Sequence, residues 1–195
     1  MGIYLVSIGG SEWFGEDEEG WAVAATAVNA ELVRRGRPPY VDVPEEPAFV
    51  RGSGQAFEEK LVPPMAGFLA LCEAQLTPEQ TETLCGWSVL LPVPLEEDCW
   101  VPLEADDPEL HLVAGAPQVL ALAERLAAAV GLPAEVPQMC DNLDLTNWFL
   151  DGTAQELAAV RPGPWGADLD AAFYVALFLR AAQHSIRRGC PLVYS

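Results

Sequence analysis

Two histidines, His111 and His184, are the only imidazole groups in this chain, so histidine-based acid–base chemistry must use one of them. His184 is predicted to lie late in a long helix, one turn after Arg180 and close to Arg187. For nucleophilic catalysis it would need a nearby serine or cysteine and an acid to orient its ring. No G-x-S-x-G sequence occurs, and the sequence favours a packing or hydrogen-bonding role for His184 at a helix end. His111, beside Glu109, is predicted to be a strand-edge residue.

Asp141 and Asp144 are three positions apart at the predicted start of a helix. Two carboxylates on one face of a helix can hold a hard cation or share a proton. Helix capping explains the same residues without a ligand, and the alternating aspartates and central glycine of an EF-hand are absent. We therefore predict that both aspartates are helix caps and that no metal binds here.

The five cysteines lie at positions 72, 85, 99, 140 and 190, and no two of them form a C-x-x-C pair. An odd number with wide spacing argues against a disulfide framework and against a zinc cluster. Several lie in apolar runs, where a free cysteine behaves as a small buried hydrophobic residue. Free thiols are typical of a reducing cytoplasm, which is the predicted location.

Two glycine-rich segments could approach an anion. Gly9-Gly10-Ser11 follows a predicted strand, and Arg51-Gly52-Ser53-Gly54 lies in a long loop. Neither has the spacing or the lysine of a phosphate-binding loop, and acidic residues follow the first segment directly. Both are predicted to be turns, with an anion-binding nest at Arg51 as the alternative for the second. No cofactor is predicted.

The charge of the chain is dominated by acids. It holds 29 acidic residues and 10 lysines and arginines, for a net charge of −19, and the stretch from Leu61 to Glu124 contains eleven acids and no lysine or arginine. Such a field attracts basic surfaces and repels phosphates, so nucleic acid is not expected as a partner. Seven of the acids lie in Glu96–Glu109, where Trp100 would add desolvated contact area. The residues predicted to bind a basic partner are Glu96, Glu97, Asp98, Trp100, Glu104, Asp106, Asp107 and Glu109.

Two functions from different classes remain. The first is a protein-interaction module whose anionic surface binds an Arg/Lys-rich partner. In composition the chain resembles compact acidic bacterial proteins without catalytic motifs, which are often inhibitors or immunity-like partners of basic proteins. The alternative is a small enzyme or small-molecule-binding protein with a pocket formed by loop residues. The candidates for that pocket are Ser11, Trp13, Arg51, Asp141 and His184. Acids that only keep the protein soluble, and acids spaced to mimic DNA, are further alternatives.

Short strands and amphipathic helices must position these residues. Short apolar runs bounded by turn residues predict strands at Ile3–Ile8, Trp87–Leu91, Cys99–Leu103, Leu110–Ala114 and Pro191–Tyr194. Helical spacing of apolar residues predicts helices over 21–36, 65–76, 77–85, 117–130, 141–150, 153–162 and 168–188. Two of these helices begin with the pattern of a capping box, at Thr77 and at Thr153.

The pattern of elements predicts an α+β fold, with several helices packed on a small mixed β-sheet. The helix over 168–188 is apolar nearly all round from Ala171 to Leu179, which places it at the centre. Arg180 interrupts the longest apolar run, so no membrane span is predicted. Met1–Gly20 lacks the basic start of a signal peptide. We predict a single domain over residues 1–195, with a lobe boundary within 92–109 as the alternative.

Overall fold

The computed structural model describes residues 2–16, 20–97, 99–103 and 109–195. Within these ranges nine helices pack on a six-stranded mixed sheet, which confirms the predicted α+β fold. The strands are β1 Ile3–Ser7, β2 Glu58–Leu61, β3 Val89–Leu91, β4 Cys99–Val101, β5 His111–Gly115 and β6 Leu192–Tyr194. The helices are α1 Gly10–Trp13, α2 Ala22–Arg34, α3 Ala66–Gln75, α4 Pro78–Cys85, α5 Ala116–Val130, α6 Asp144–Leu150, α7 Thr153–Val160, α8 Pro164–Ala167 and α9 Leu169–Arg188.

The sheet has the strand order β2-β1-β6-β3-β5-β4. The β3–β5 pair is parallel and the other pairs are antiparallel. Both faces are covered, so the central strands are apolar without interruption. In β3, for example, Leu90 belongs to one core cluster while Val89 and Leu91 belong to the other.

The two clusters define three layers. On one face α2 packs its buried residues, among them Val28 and Leu32, together with Trp13 of α1. On the other face the larger cluster contains residues of α3, α5, α6 and α9. The loop that links α2 to β2 lies over the first face, where Tyr40 packs with its ring centroid 6.2 Å from that of Trp13.

Helix α9 lies at the centre of the larger cluster, as predicted. Thirteen of its 20 residues are buried. The Asp168 carboxylate accepts a hydrogen bond from the backbone N–H of Ala171 at 2.9 Å, and Gly189 ends the helix with a φ of 70°. Among the described helices, neither α9 nor any other combines the length and apolar character needed to cross a membrane.

One predicted capping box is confirmed and the other is wrong. At α4 the Thr77 side chain accepts from the Gln80 backbone N–H, and the Gln80 side chain accepts from the Thr77 backbone N–H. At α7 the N-cap is Gly152, and the helix start has no side-chain cap. A glycine with φ of 99° makes that turn, so the chain enters the helix without using the Thr153 hydroxyl.

Strand β2 was not predicted, because its sequence EEKL is charged and lacks an apolar run. Its outer edge is covered by the segment that leads into α6. The Glu58 N–H donates to the Cys140 carbonyl at 2.8 Å, and its carbonyl accepts from the Leu143 N–H at 2.9 Å. The Lys60 N–H donates to the Thr146 hydroxyl at 3.1 Å. These distant partners satisfy the edge and explain why a polar segment forms a strand here.

Candidate functional site

The acids that the structure describes in the middle of the chain are exposed to solvent. Between Leu61 and Glu124 the structure describes seven acidic side chains, and all seven are exposed. They are Glu73 on α3, Glu79 and Glu82 on α4, Glu96 and Glu97 after β3, Glu109 before β5 and Glu124 on α5. Four of the predicted partner-binding residues, Asp98, Glu104, Asp106 and Asp107, lie outside the described residues.

Four of the exposed acids belong to three neighbouring helices. Helices α3, α4 and α5 contact one another, and they carry Glu73, Glu79, Glu82 and Glu124, which we call the acidic surface. The ion pairs found among the described residues do not involve these four. The adjacent Arg125 instead donates to the carbonyl oxygen of Gln75. Hydrogen bonds from its own backbone N–H and from Thr77 hold the pKa of Glu79 below its usual value.

Glu96 and Glu97 lie beside a group of bases at the end of α2. That group, the arginine cluster, is Arg34, Arg35 and Arg37. Arg35 donates to the carbonyl oxygen of Glu97 at 2.8 Å, and an Arg37 nitrogen lies 4.0 Å from the Glu96 carboxylate. The Glu96 side chain is 81% exposed, so this ion pair is weak. The start of the predicted acidic segment is therefore partly balanced, in contrast to the acidic surface.

Two depressions flank α4. One of about 510 Å³ lies between α3 and α4, and its lining includes Glu73, Leu76, Glu82 and Cys85. The other, of about 270 Å³, lies between α4, α5 and β5 and ends at the 95–97 segment. Trp100, the aromatic residue predicted to contact a partner, is 44% exposed on β4, as such a contact requires.

The five residues predicted for the alternative pocket do not all lie together in the structure. The Ser11 hydroxyl donates to the Glu45 carboxylate at 2.6 Å on the surface. Trp13 is fully buried in the core that contains Tyr40, so its side chain does not line an open pocket. Asp141 and His184 lie in one region, where the loop after Arg51 meets α9: the Gly52 N–H donates to Asp141, and Arg187, which faces His184, donates to the Gly54 carbonyl.

Asp141 is buried and held by that loop rather than by a helix. Its carboxylate accepts from the backbone N–H of Gly52 at 3.1 Å and of Gly54 at 3.0 Å. Burial raises its pKa, but these hydrogen bonds outweigh that effect and leave the pKa below its usual value. The loop thus forms an anion-binding nest, and its anion is the protein's own carboxylate. The prediction that Asp141 caps a helix is wrong, because α6 begins at Asp144 after Leu143 with φ of 57°.

Glu59 performs the capping that was predicted for the aspartates. It is fully buried on β2 and accepts from the backbone N–H groups of Leu145 and Thr146, both at 2.8 Å, at the start of α6. The Thr146 hydroxyl donates to it at 2.7 Å. Burial raises the pKa of Glu59 despite these hydrogen bonds. Asp144 lies next to Asp141, and burial together with that contact raises the pKa of Asp144.

His184 is buried against the ring of Phe57, at 5.5 Å between ring centroids. Its Nδ1 faces a guanidinium nitrogen of Arg187 at 3.3 Å, and its Nε2 has no hydrogen-bond partner among the described residues. Burial, followed by the charges of Arg187 and Arg188, lowers its pKa to about 3. Within the described part of the chain no serine, cysteine or carboxylate hydrogen-bonds to His184. The geometry that nucleophilic catalysis requires is therefore not formed here.

The described residues contain no group of three His, Cys, Asp or Glu side chains that could hold a metal ion. All five cysteines are free, and Cys85 is the one that is not buried. Burial raises the pKa of Cys85 to about 11. Burial raises the pKa of the other four thiols as well, so all five are protonated near neutral pH and are weak nucleophiles.

Sequence reasoning missed the residues of α3 and α4. Glu73 and Glu82 were counted only in the charge of the chain, and Leu69, within the predicted helix over 65–76, is 42% exposed. The available signal was the four-residue spacing of Leu69 and Glu73, which places them on one helical face.

Comparisons with models of protein families, with curated proteins and with solved structures give no significant match to this chain.

Proposed function

We propose that this chain is a protein-interaction module that binds a basic partner protein through its acidic surface. The observation that carries this proposal is the exposure of all seven described acids between Leu61 and Glu124, a stretch without lysine or arginine. The four carboxylates of the acidic surface take part in none of the ion pairs found among the described residues, so their field extends into solvent, where it speeds the encounter with a basic surface. An inhibitor or immunity-like protein is the form of this function that the composition supports.

The state of the cysteines supports the cytoplasm as the place of this function. All five thiols are free, and free thiols persist in a reducing compartment. A partner would therefore be a cytoplasmic or incoming protein with a surface rich in lysine and arginine. Its binding would respond strongly to salt, because the Debye length falls from about 30 Å at 0.01 M to about 8 Å at 0.15 M ionic strength.

The proposal is tested with a fluorescent Lys/Arg-rich peptide and two variants of equal net charge. The first variant, Glu73→Gln/Glu82→Gln/Glu124→Gln, removes three charges from the acidic surface. The control, Asp42→Asn/Asp151→Asn/Glu156→Gln, removes three exposed charges elsewhere. Binding is measured by fluorescence anisotropy at low ionic strength.

We expect the first variant to weaken binding by about ten-fold and the control to change it by less than about two-fold, because each exposed charge pair contributes modestly and acts locally. Equal losses in both variants would show that only the net charge matters and would overturn the proposal. So would a failure of the unmodified protein to bind the peptide at low ionic strength.

A further inference from the structure

The groove between α3 and α4 combines an apolar floor with an acidic rim. The two helices are joined by Leu76 and Thr77, and the capping box at Thr77 fixes the turn between them. Leu76, Pro78 and Cys85 line the groove, which encloses about 510 Å³. A depression of this size accepts one or two apolar side chains from a partner.

The apolar character continues along α3 beyond the groove. Leu69 is one helical turn before Glu73 on the same face and is 42% exposed. Ala70 and Ala74 on the same helix are also exposed. These three exposed residues extend the apolar surface of α3 beyond the residues that line the groove. A segment of chain can contact both the groove and this surface, whereas a small molecule held in the groove contacts the groove alone.

The acidic residues on the rim indicate what kind of molecule the groove would bind. Glu73 and Glu82 both line the groove, and no lysine, arginine or histidine does. A second copy docked through the same groove would place acids opposite acids, and at a net charge of −19 two copies repel each other as whole molecules. The depression on the other side of α4 is smaller and reaches Glu96 and Glu97, which lie beside the arginine cluster. The α3–α4 groove is thus the apolar site with the less balanced charge.

From this combination we infer that the α3–α4 groove binds a short amphipathic segment of the basic partner, with an apolar side chain on the floor and Lys or Arg residues against Glu73 and Glu82. The inference rests on the proposed function and makes it specific. Charge attracts the partner, while the apolar side chain discriminates between basic segments because only it gains from leaving water.

Two peptides of equal charge test the inference. Both carry the same lysines and arginines; one has leucines between them and the other has serines at the same positions. We expect the leucine peptide to bind at least about ten-fold more tightly, the minimum for burying one leucine side chain. Equal binding of the two peptides would overturn the inference and leave the proposed function intact. Binding of neither peptide at low ionic strength would overturn both.

A pair of matched variants locates the effect on one side of α4. Thr81 lines the α3–α4 groove and Thr83 lines the smaller depression. Both are half-buried, and both hydroxyls donate to the backbone carbonyl four residues earlier. Thr81→Trp fills the groove and should abolish the preference for the leucine peptide, whereas Thr83→Trp should preserve it. Loss of the preference in Thr83→Trp alone, or in neither variant, would contradict the inference.

The unmodified protein gives an independent readout if a variant does not fold. Cys85 lines the groove and is the cysteine that is not buried. The leucine peptide at ten times its Kd should slow modification of Cys85 by a thiol reagent about ten-fold, since about a tenth of the protein is then free. The serine peptide at the same fractional occupancy should protect it less. An unchanged rate with bound leucine peptide would overturn the inference.

Discussion

Replacement of His184 by leucine tests the environment of the central helix. Its ring is buried between Phe57 and Arg187, and its pKa falls from 6.5 to about 3. A base with a lowered pKa in the folded state takes up a proton more readily in the unfolded state. The free energy of unfolding therefore rises with pH, and this contribution is lost as the pH falls below 6.5.

The size of the effect follows from the two pKa values. At about pH 5 the imidazole of the unfolded chain is almost fully protonated, while that of the folded protein is neutral. The unfolded state then gains about 2 kcal/mol relative to about pH 7.5. Any folded-state pKa below about 4 gives the same figure, because the buried imidazole is then still neutral at pH 5.

The measurement compares urea unfolding of the unmodified protein and of His184→Leu at about pH 7.5 and about pH 5, followed by tryptophan fluorescence. All other titrating groups are common to both proteins and cancel in the difference. We expect the unmodified protein to lose about 2 kcal/mol relative to the variant over this range. A difference that stays constant within about 0.5 kcal/mol would refute the reasoning, as would an NMR titration that shows His184 protonated at pH 5.

Two further predictions concern the buried acids. Asp141→Ala removes the acceptor of the backbone N–H groups in the 51–54 loop, so we expect a loss of about 1–3 kcal/mol in the free energy of unfolding and faster proteolysis of that loop. Asp141→Asn should restore part of the stability, and equal stability of the two variants would contradict the assigned contact. Glu59→Ala leaves the N–H groups of Leu145 and Thr146 buried without an acceptor. We expect it to cost about 2–4 kcal/mol in urea unfolding, and a cost below about 1 kcal/mol would contradict the capping role.

The elements that the sequence predicted are those with a local apolar pattern or a local cap. Strands β1, β3, β5 and β6 are short apolar runs, and α5 and α9 carry apolar residues at helical spacing, so each could be located before any contact was known. Strand β2 could not be located in this way. Its charged residues form a strand because partners between Cys140 and Thr146 satisfy its outer edge, and those partners are more than 80 positions away.

The same distinction between local patterns and distant contacts applies to the candidate site. That the seven described acids of the middle third are exposed could be predicted from charge, since unpaired carboxylates are rarely buried. That Glu73, Glu82 and Glu124 lie on contiguous helices depends on how α3, α4 and α5 pack, which no local pattern records. The contact between Gly54 and Asp141 spans 87 positions. The sequence of the Arg51 loop resembled a free anion-binding turn because no local pattern shows that the Asp141 carboxylate binds there.

Buried carboxylates and several arginines of this chain form hydrogen bonds with neutral backbone groups rather than with opposite charges. Buried carboxylates are satisfied by backbone N–H groups, as at Glu59 and Asp141. Three arginines donate to backbone carbonyls and take part in none of the ion pairs found among the described residues: Arg125, Arg180 and Arg187. A carboxylate that binds a backbone N–H keeps its charge, and so does an arginine that binds a carbonyl. Few acidic and basic side chains are therefore ion-paired with each other among the described residues. The acids of α3, α4 and α5 take part in none of these ion pairs and remain available to an external base.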